Sequence, residues 1–178
     1  MFTTIVITMP TFIDAEAERI VMFLRSGVTL VHIRKPGAEY DEVERLVRSV
    51  PAEWRNRLVV HDHFTLAQRY SLYGVHLNRR NPQPPVGWEG GVSRSCHSLD
   101  EVVRYKDEHD YLSLSPIFDS ISKQGYCSAF THDDICRAVA DGIIDSKVYA
   151  LGGVTFAALP ALKALGFGGA MILGDAWR

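Results

Sequence analysis

Short runs of β-branched and apolar residues alternate along the chain with longer stretches whose apolar positions recur at helical spacing. Thr3–Thr8 predicts a strand. Ile13–Arg25 predicts a helix carrying Ile13, Ile20 and Leu24, ended by Gly27 in a left-handed conformation. Val28–Ile33 predicts a second strand, and Asp41–Val50 a helix that stops before Pro51. Arg57–Val60 and Gly74–Leu77 predict the third and fourth strands, with a helix over Phe64–Tyr70 between them. Pro82, Pro84 and Pro85 make Asn81–Trp88 a loop. Gly90–Ser93 predicts the fifth strand. Ser98 then caps a helix through Tyr105, with Glu101 at the capping-box position. Tyr111–Leu114 predicts the sixth strand. After a long loop from Ser115 to Ala129, Thr131 and Asp134 form a second capping box for a helix through Ala140. Lys147–Ala150 and Gly168–Leu173 predict the last two strands, around a helix over Thr155–Leu165.

Strands alternating with helices imply parallel βαβ units, and eight of them imply closure into an α/β (β/α)8 TIM barrel. The competing arrangement, an open doubly wound sheet, would place a GxGxxG turn after the first strand; Met9-Pro10-Thr11 is not one. The 178 residues predict one domain, 1–178. Barrels run to about 250 residues, so this one is short, with its eighth helix truncated or missing.

Apolar residues make up 47% of the chain, enough for a substantial core. The net charge of −2 gives no electrostatic reason to expect nucleic acid as a partner. Cys96, Cys127 and Cys136 lack CxxC spacing and read as reduced thiols, which points to a cytoplasmic protein. The N-terminus has no basic region followed by a cleavage site, and no apolar run approaches the ~20 residues that span a bilayer. No membrane partner is expected. The sequence is compatible with a homo-oligomer and does not define one.

Candidate chemistry collects just past the strands. Arg34-Lys35 follows strand two, His61-Asp62-His63 strand three, and Asn78-Arg79-Arg80-Asn81 strand four, which itself carries His76. Ser93 ends strand five. Ser120, Ser122 and Lys123 lie in the loop after strand six, Gly152-Gly153 after strand seven and Gly174 after strand eight. In a barrel these positions share the rim where active sites are built. Arginine and lysine supply charge, serines supply hydroxyl donors, and glycines let main-chain N–H groups approach an anion. The set points to small phosphorylated ligands. His61 and His63 alone are not a dedicated zinc spacing.

The chain resembles the thiamine phosphate synthase family, which includes the related thiazole tautomerases. VHIR, VHD followed by LA, GVHL, GVS, DYLSLSPIF with SISK, ALGGV and GFGGAMILG carry the resemblance over almost the whole length. It implies a transferase of thiamine biosynthesis that joins hydroxymethylpyrimidine diphosphate to a thiazole phosphate and releases pyrophosphate. It also implies roles: Arg34, Ser93 and Lys123 at the diphosphate as catalytic residues, and His32, His61, His76, Ser120 and Ser122 on substrate. Gly152, Gly153 and Gly174 would take the thiazole's phosphate, and Asp62 with Asn81 would hold Mg2+.

Departures from the family pattern concentrate on the metal. His32 stands where the family has glutamine, and His61 where it has asparagine. Pro36 takes the position of a second cation. Asn78-Arg79-Arg80-Asn81 replaces a GQED-like stretch, so the second Mg2+ aspartate becomes Asn81. Magnesium favours hard anionic oxygens, so the site should bind it more weakly, with Arg79 or Arg80 as a replacement counter-charge. Pro116 stands where the tautomerases carry histidine, which weighs against their usual base. The alternatives are a tautomerase-like isomerase and a phosphate-binding relative without turnover.

Overall fold

A computed structural model describes residues 1–118 and 130–178. The strands are β1 Thr3–Ile7, β2 Leu30–Ile33, β3 Leu58–Val60, β4 Gly74–Leu77, β5 Gly91–Cys96, β6 Tyr111–Leu114, β7 Val148–Ala150 and β8 Gly169–Ile172. Their order is β1-β2-β3-β4-β5-β6-β7-β8 in a closed barrel, which excludes the open doubly wound sheet. Pairing is parallel, with His32 opposite Val59 and Ile33 opposite Val60 between β2 and β3, and Ser95 opposite Ser113 between β5 and β6. The helices are α1 Glu16–Arg25, α2 Tyr40–Ser49, α3 Ala52–Arg55, α4 Thr65–Arg69, α5 Leu99–Tyr105, α6 His132–Ala140 and α7 Leu159–Ala164. This is a (β/α)8 fold. Among the described residues no helix is long and apolar enough to cross a membrane.

Backbone contacts group the chain into two compact units, one formed by Val6–Val92 and the other by Met1–Ile5 with Ser93–Arg178. In the first, Val31, Leu58, Val60, Ile20, Val47 and Leu66 are fully buried. Two polar devices tie it together. Lys35 Nζ is buried against Glu16 at 2.6 and 2.8 Å and donates to the carbonyls of Met9 and Thr11. The Arg57 guanidinium donates to the carbonyls of Leu24, Val28 and Thr29, which closes the turn between α1 and β2. Gly27, at φ 101°, makes that turn in the left-handed region as expected. In the second unit, Leu112, Leu114 and Val148 pack with Val102, Ile135, Ala138, Leu162 and Phe167 from the helices and loops outside them.

Three differences from the sequence reading have physical causes. β5 runs on to Cys96 through the polar run Ser93-Arg94-Ser95, because its backbone pairs with β6 residue by residue. The stretch after Thr155 divides into a 3-10 turn, Phe156–Ala158, and α7, because Pro160 has no N–H to continue one helix. Pro51 ends one helix and also starts α3. The capping box at Thr131 and Asp134 forms in both directions, at 3.1 and 3.0 Å. At α5, Ser98 caps the Glu101 N–H, but the Glu101 carboxylate accepts from His97 N–H and not from Ser98. After β8 there is one 3-10 turn, Gly174–Trp177.

Candidate active site

The first unit gathers most of the predicted chemistry at the ends of β2, β3 and β4. Arg34 follows β2, and its backbone N–H donates to the buried Thr8 hydroxyl at 2.9 Å. Asp62 follows β3. Asn78, one residue past β4, organises the segment that meets it. Its side-chain oxygen accepts from the N–H groups of Arg80 and Asn81 at 3.0 and 3.2 Å, and its side-chain nitrogen donates to the His61 carbonyl at 2.9 Å. This Asx turn aims two side chains at Asp62. Arg80 donates to both carboxylate oxygens at 3.0 to 3.3 Å, and Asn81 Nδ2 donates to Oδ1 at 2.8 Å.

Arg34 belongs to the same electrostatic group. Burial lowers its pKa first, the Arg80 charge lowers it further, and Asp62 opposes both. Two guanidinium groups around one carboxylate leave the cluster positive. Arg80, not Arg79, is the counter-charge on Asp62.

The donor set does not suit magnesium. Both Asp62 oxygens already accept from arginine, and Asn81 turns its NH2 toward the carboxylate. A small hard cation wants several oxygen ligands in near-octahedral order. Here a guanidinium stands against the one carboxylate instead.

His32, His61 and His76 come together beside this cluster. All three are buried. His32 Nδ1 lies 3.0 Å from His61 Nε2, and the His61 and His76 rings stack with centroids 4.3 Å apart. Burial holds His32 and His61 well below the usual histidine pKa, and the neighbouring rings push the same way. His63 is apart from them in role: its ring contacts the Ala38 carbonyl at 2.8 Å. Lys35 is committed to Glu16 and two carbonyls, so it is not the missing second cation of the β2 motif.

In the second unit, Ser93 lies within β5 and not at its end, with 1% exposure. The end of β5 instead places His97, whose Nδ1 lies 3.2 Å from both the carbonyl and the hydroxyl oxygen of Ser115, just past β6. The sequence reading missed His97 because it ended β5 three residues early, and gave Asn78 no role because it read that segment for counter-charge and metal ligands and not for turn formation. Gly152 and Gly153 follow β7 with φ values of 91° and 65°, two successive left-handed residues. A Cβ on Gly152 would meet Pro116 Cα at 2.8 Å. Gly174 opens the 3-10 turn after β8. Ser120, Ser122 and Lys123, with Cys127, lie outside the described residues.

Fold and strand-end chemistry together define a (β/α)8-barrel protein whose candidate site lies where its strands end. The family model described as thiamine monophosphate synthase matches residues 4–174. The chain belongs to that family. It is 30% identical over 170 residues to the thiamine-phosphate synthase of Synechococcus sp. (strain CC9605), covering 90% of this chain and 47% of that protein. It therefore spans about half the length of that relative. The thiamine-phosphate synthase of Escherichia coli O9:H4 (strain HS) is 30% identical over 156 residues, 82% of this chain and 72% of the relative. Among solved structures, the thiamine phosphate pyrophosphorylase of Bacteroides thetaiotaomicron superposes with a TM-score of 0.89 at 40% identity, covering 99% of this chain and 85% of that one. The two sequence relatives bear the name thiamine-phosphate synthase, and the solved structure the name thiamine phosphate pyrophosphorylase.

Proposed function

We propose that the protein is a thiamine phosphate synthase-type transferase, coupling hydroxymethylpyrimidine diphosphate to a thiazole phosphate with release of pyrophosphate. The observation that carries this reading is the cluster of Arg34, Asp62 and Arg80 at three consecutive strand ends in a chain of this family.

In the proposed reaction the bond between the pyrimidine methylene carbon and the diphosphate oxygen breaks, and the electron pair leaves with pyrophosphate. The thiazole nitrogen then donates its lone pair to the methylene carbon. The barrier lies largely in charge developing on the leaving group, which positioned cations neutralise. Arg34 and Arg80 supply that charge, and arginine's planar fork matches phosphate oxygens in pairs. Asp62 and Asn78 hold Arg80 in place. The main-chain N–H groups around Gly152, Gly153 and Gly174 are assigned to the thiazole's phosphate. Ser93, Ser120, Ser122 and Lys123 keep the roles that the resemblance implies. Because the Asp62 donor set is poor in oxygen, dependence on Mg2+ is proposed to be weak. The free thiols of Cys96 and Cys136 support the proposed cytoplasmic setting.

The test is product formation from the two substrates by the purified chain. Thiamine phosphate and pyrophosphate should appear in equal amounts, and Arg34→Ala should abolish both. Isomerisation of a thiazole phosphate without coupling, or binding without turnover, would overturn the reading.

A further inference from the structure

We infer that His32, His61 and His76 form a binding site for a first-row transition-metal dication of zinc's class, separate in chemistry from any magnesium carried by phosphate. The inference does not rest on the transferase reading.

The site is built by the barrel itself. His32 lies in β2, His61 follows β3 directly, and His76 lies in β4, so three adjacent strands each deliver one imidazole. Strand pairing fixes the spacing: His61 N–H donates to the Ile33 carbonyl at 3.1 Å, and Val60 pairs with Val75 beside His76. Their exposures are 0, 5 and 1%, and one ligand nitrogen from each lies within 4.8 Å of the others. Among the described residues this is the group of three or more histidine, cysteine or carboxylate side chains close enough to hold one ion.

Geometry and donor type agree on the class of ion. Zinc–imidazole bonds of about 2.0–2.1 Å in a tetrahedron place ligand nitrogens roughly 3.3 Å apart. The His32 and His61 nitrogens already stand 3.0 Å apart. From within 4.8 Å of that pair, His76 would complete the set by turning its ring. An ion would replace the His32–His61 hydrogen bond, with the ring proton moving to the other nitrogen of the donor ring. Imidazole nitrogens favour zinc, cobalt, nickel or copper, whereas magnesium favours oxygen. Three protein ligands also leave a coordination position for water or an incoming group, as in catalytic zinc sites.

Cobalt(II) titrated into the metal-stripped full chain tests this, because nitrogen-coordinated cobalt absorbs in the visible. One cobalt per chain should bind, zinc should displace it, and the paired variant H32Q/H61N should weaken binding at least about 100-fold. Asp62→Ala should leave cobalt binding intact. Circular dichroism establishes that the variants are folded. Ring-nitrogen NMR of the unmutated chain gives a second reading that needs no variant: zinc should shift the nitrogens of His32, His61 and His76 and spare His97 and His132. Absence of stoichiometric binding, binding that survives H32Q/H61N, or shifts confined to other histidines would each overturn the inference.

Discussion

Arg80 engages both carboxylate oxygens of Asp62, at 3.0 to 3.3 Å. A guanidinium therefore holds the charge that the family pattern assigns to magnesium. Any metal at Asp62 would have to compete with Arg80 for the same oxygens. The pair is partly exposed, with side-chain exposures of 54% and 18%, which limits its strength to about 1 kcal/mol. Arg80→Ala should lower turnover without added magnesium and reduce the half-saturating magnesium concentration roughly fivefold. Steady-state rates across a magnesium series check this. A variant whose magnesium curve matches the parent's would show that Asp62 is not where the two compete.

Arg34 is partly buried and its backbone is pinned to Thr8 at the end of β2, so under the proposed function its guanidinium would meet the diphosphate from a fixed strand end. Arg34→Lys keeps the charge but loses the fork. Its kcat/KM for the diphosphate substrate should fall on the order of 100-fold, and most of the loss should be in kcat. An equal loss in KM alone would assign Arg34 to ground-state binding.

Lys35 and Glu16 form a buried pair with side-chain exposures of 0 and 2%. Removing one partner strands the other charge. Glu16→Gln or Lys35→Met should each cost about 3–5 kcal/mol in chemical denaturation. The double variant Glu16→Leu with Lys35→Met should cost less than the two single losses added together. Additive losses would place the energy elsewhere.

His32 and His61 titrate below the ordinary value of 6.5 because burial disfavours the imidazolium. Below pH 6.5 the unfolded chain therefore binds protons on these rings that the folded chain does not. Stability is full at neutral pH and is lost as pH falls through about 6.5, by up to about 1.4 kcal/mol per pH unit for each ring. Melting temperatures of the metal-free chain from pH 8 to 5.5 should fall on the acid side, and H32Q/H61N should flatten that slope. A parent chain whose melting temperature does not fall on the acid side contradicts the assignment.

Hydrophobic period and capping signals made the barrel readable from sequence. Gly74–Leu77 and Tyr111–Leu114 form strands with the bounds read from the chain, and Gly27 turns where a glycine was needed. What stayed hidden depends on neighbours distant in the chain. Ser93-Arg94-Ser95 looks polar, yet extends β5 because β6 offers it a ladder. The Asp62 site was legible as residues, with Arg79 or Arg80 as the expected counter-charge; which of the two was not, because Asn78 has to form its turn before Arg80 can reach the carboxylate. The three-histidine group was invisible as a motif because its members lie in, or directly after, three different strands. HxH, the local pattern, places His63 against Ala38 instead.

This chain is proposed to join two phosphorylated substrates with loss of pyrophosphate. The most direct measurement incubates it with hydroxymethylpyrimidine diphosphate and thiazole phosphate, and follows thiamine phosphate and pyrophosphate together. One pyrophosphate per thiamine phosphate, both lost in Arg34→Ala, is the result predicted. Pyrophosphate without thiamine phosphate, or neither product from a folded chain at saturating substrates, would contradict it.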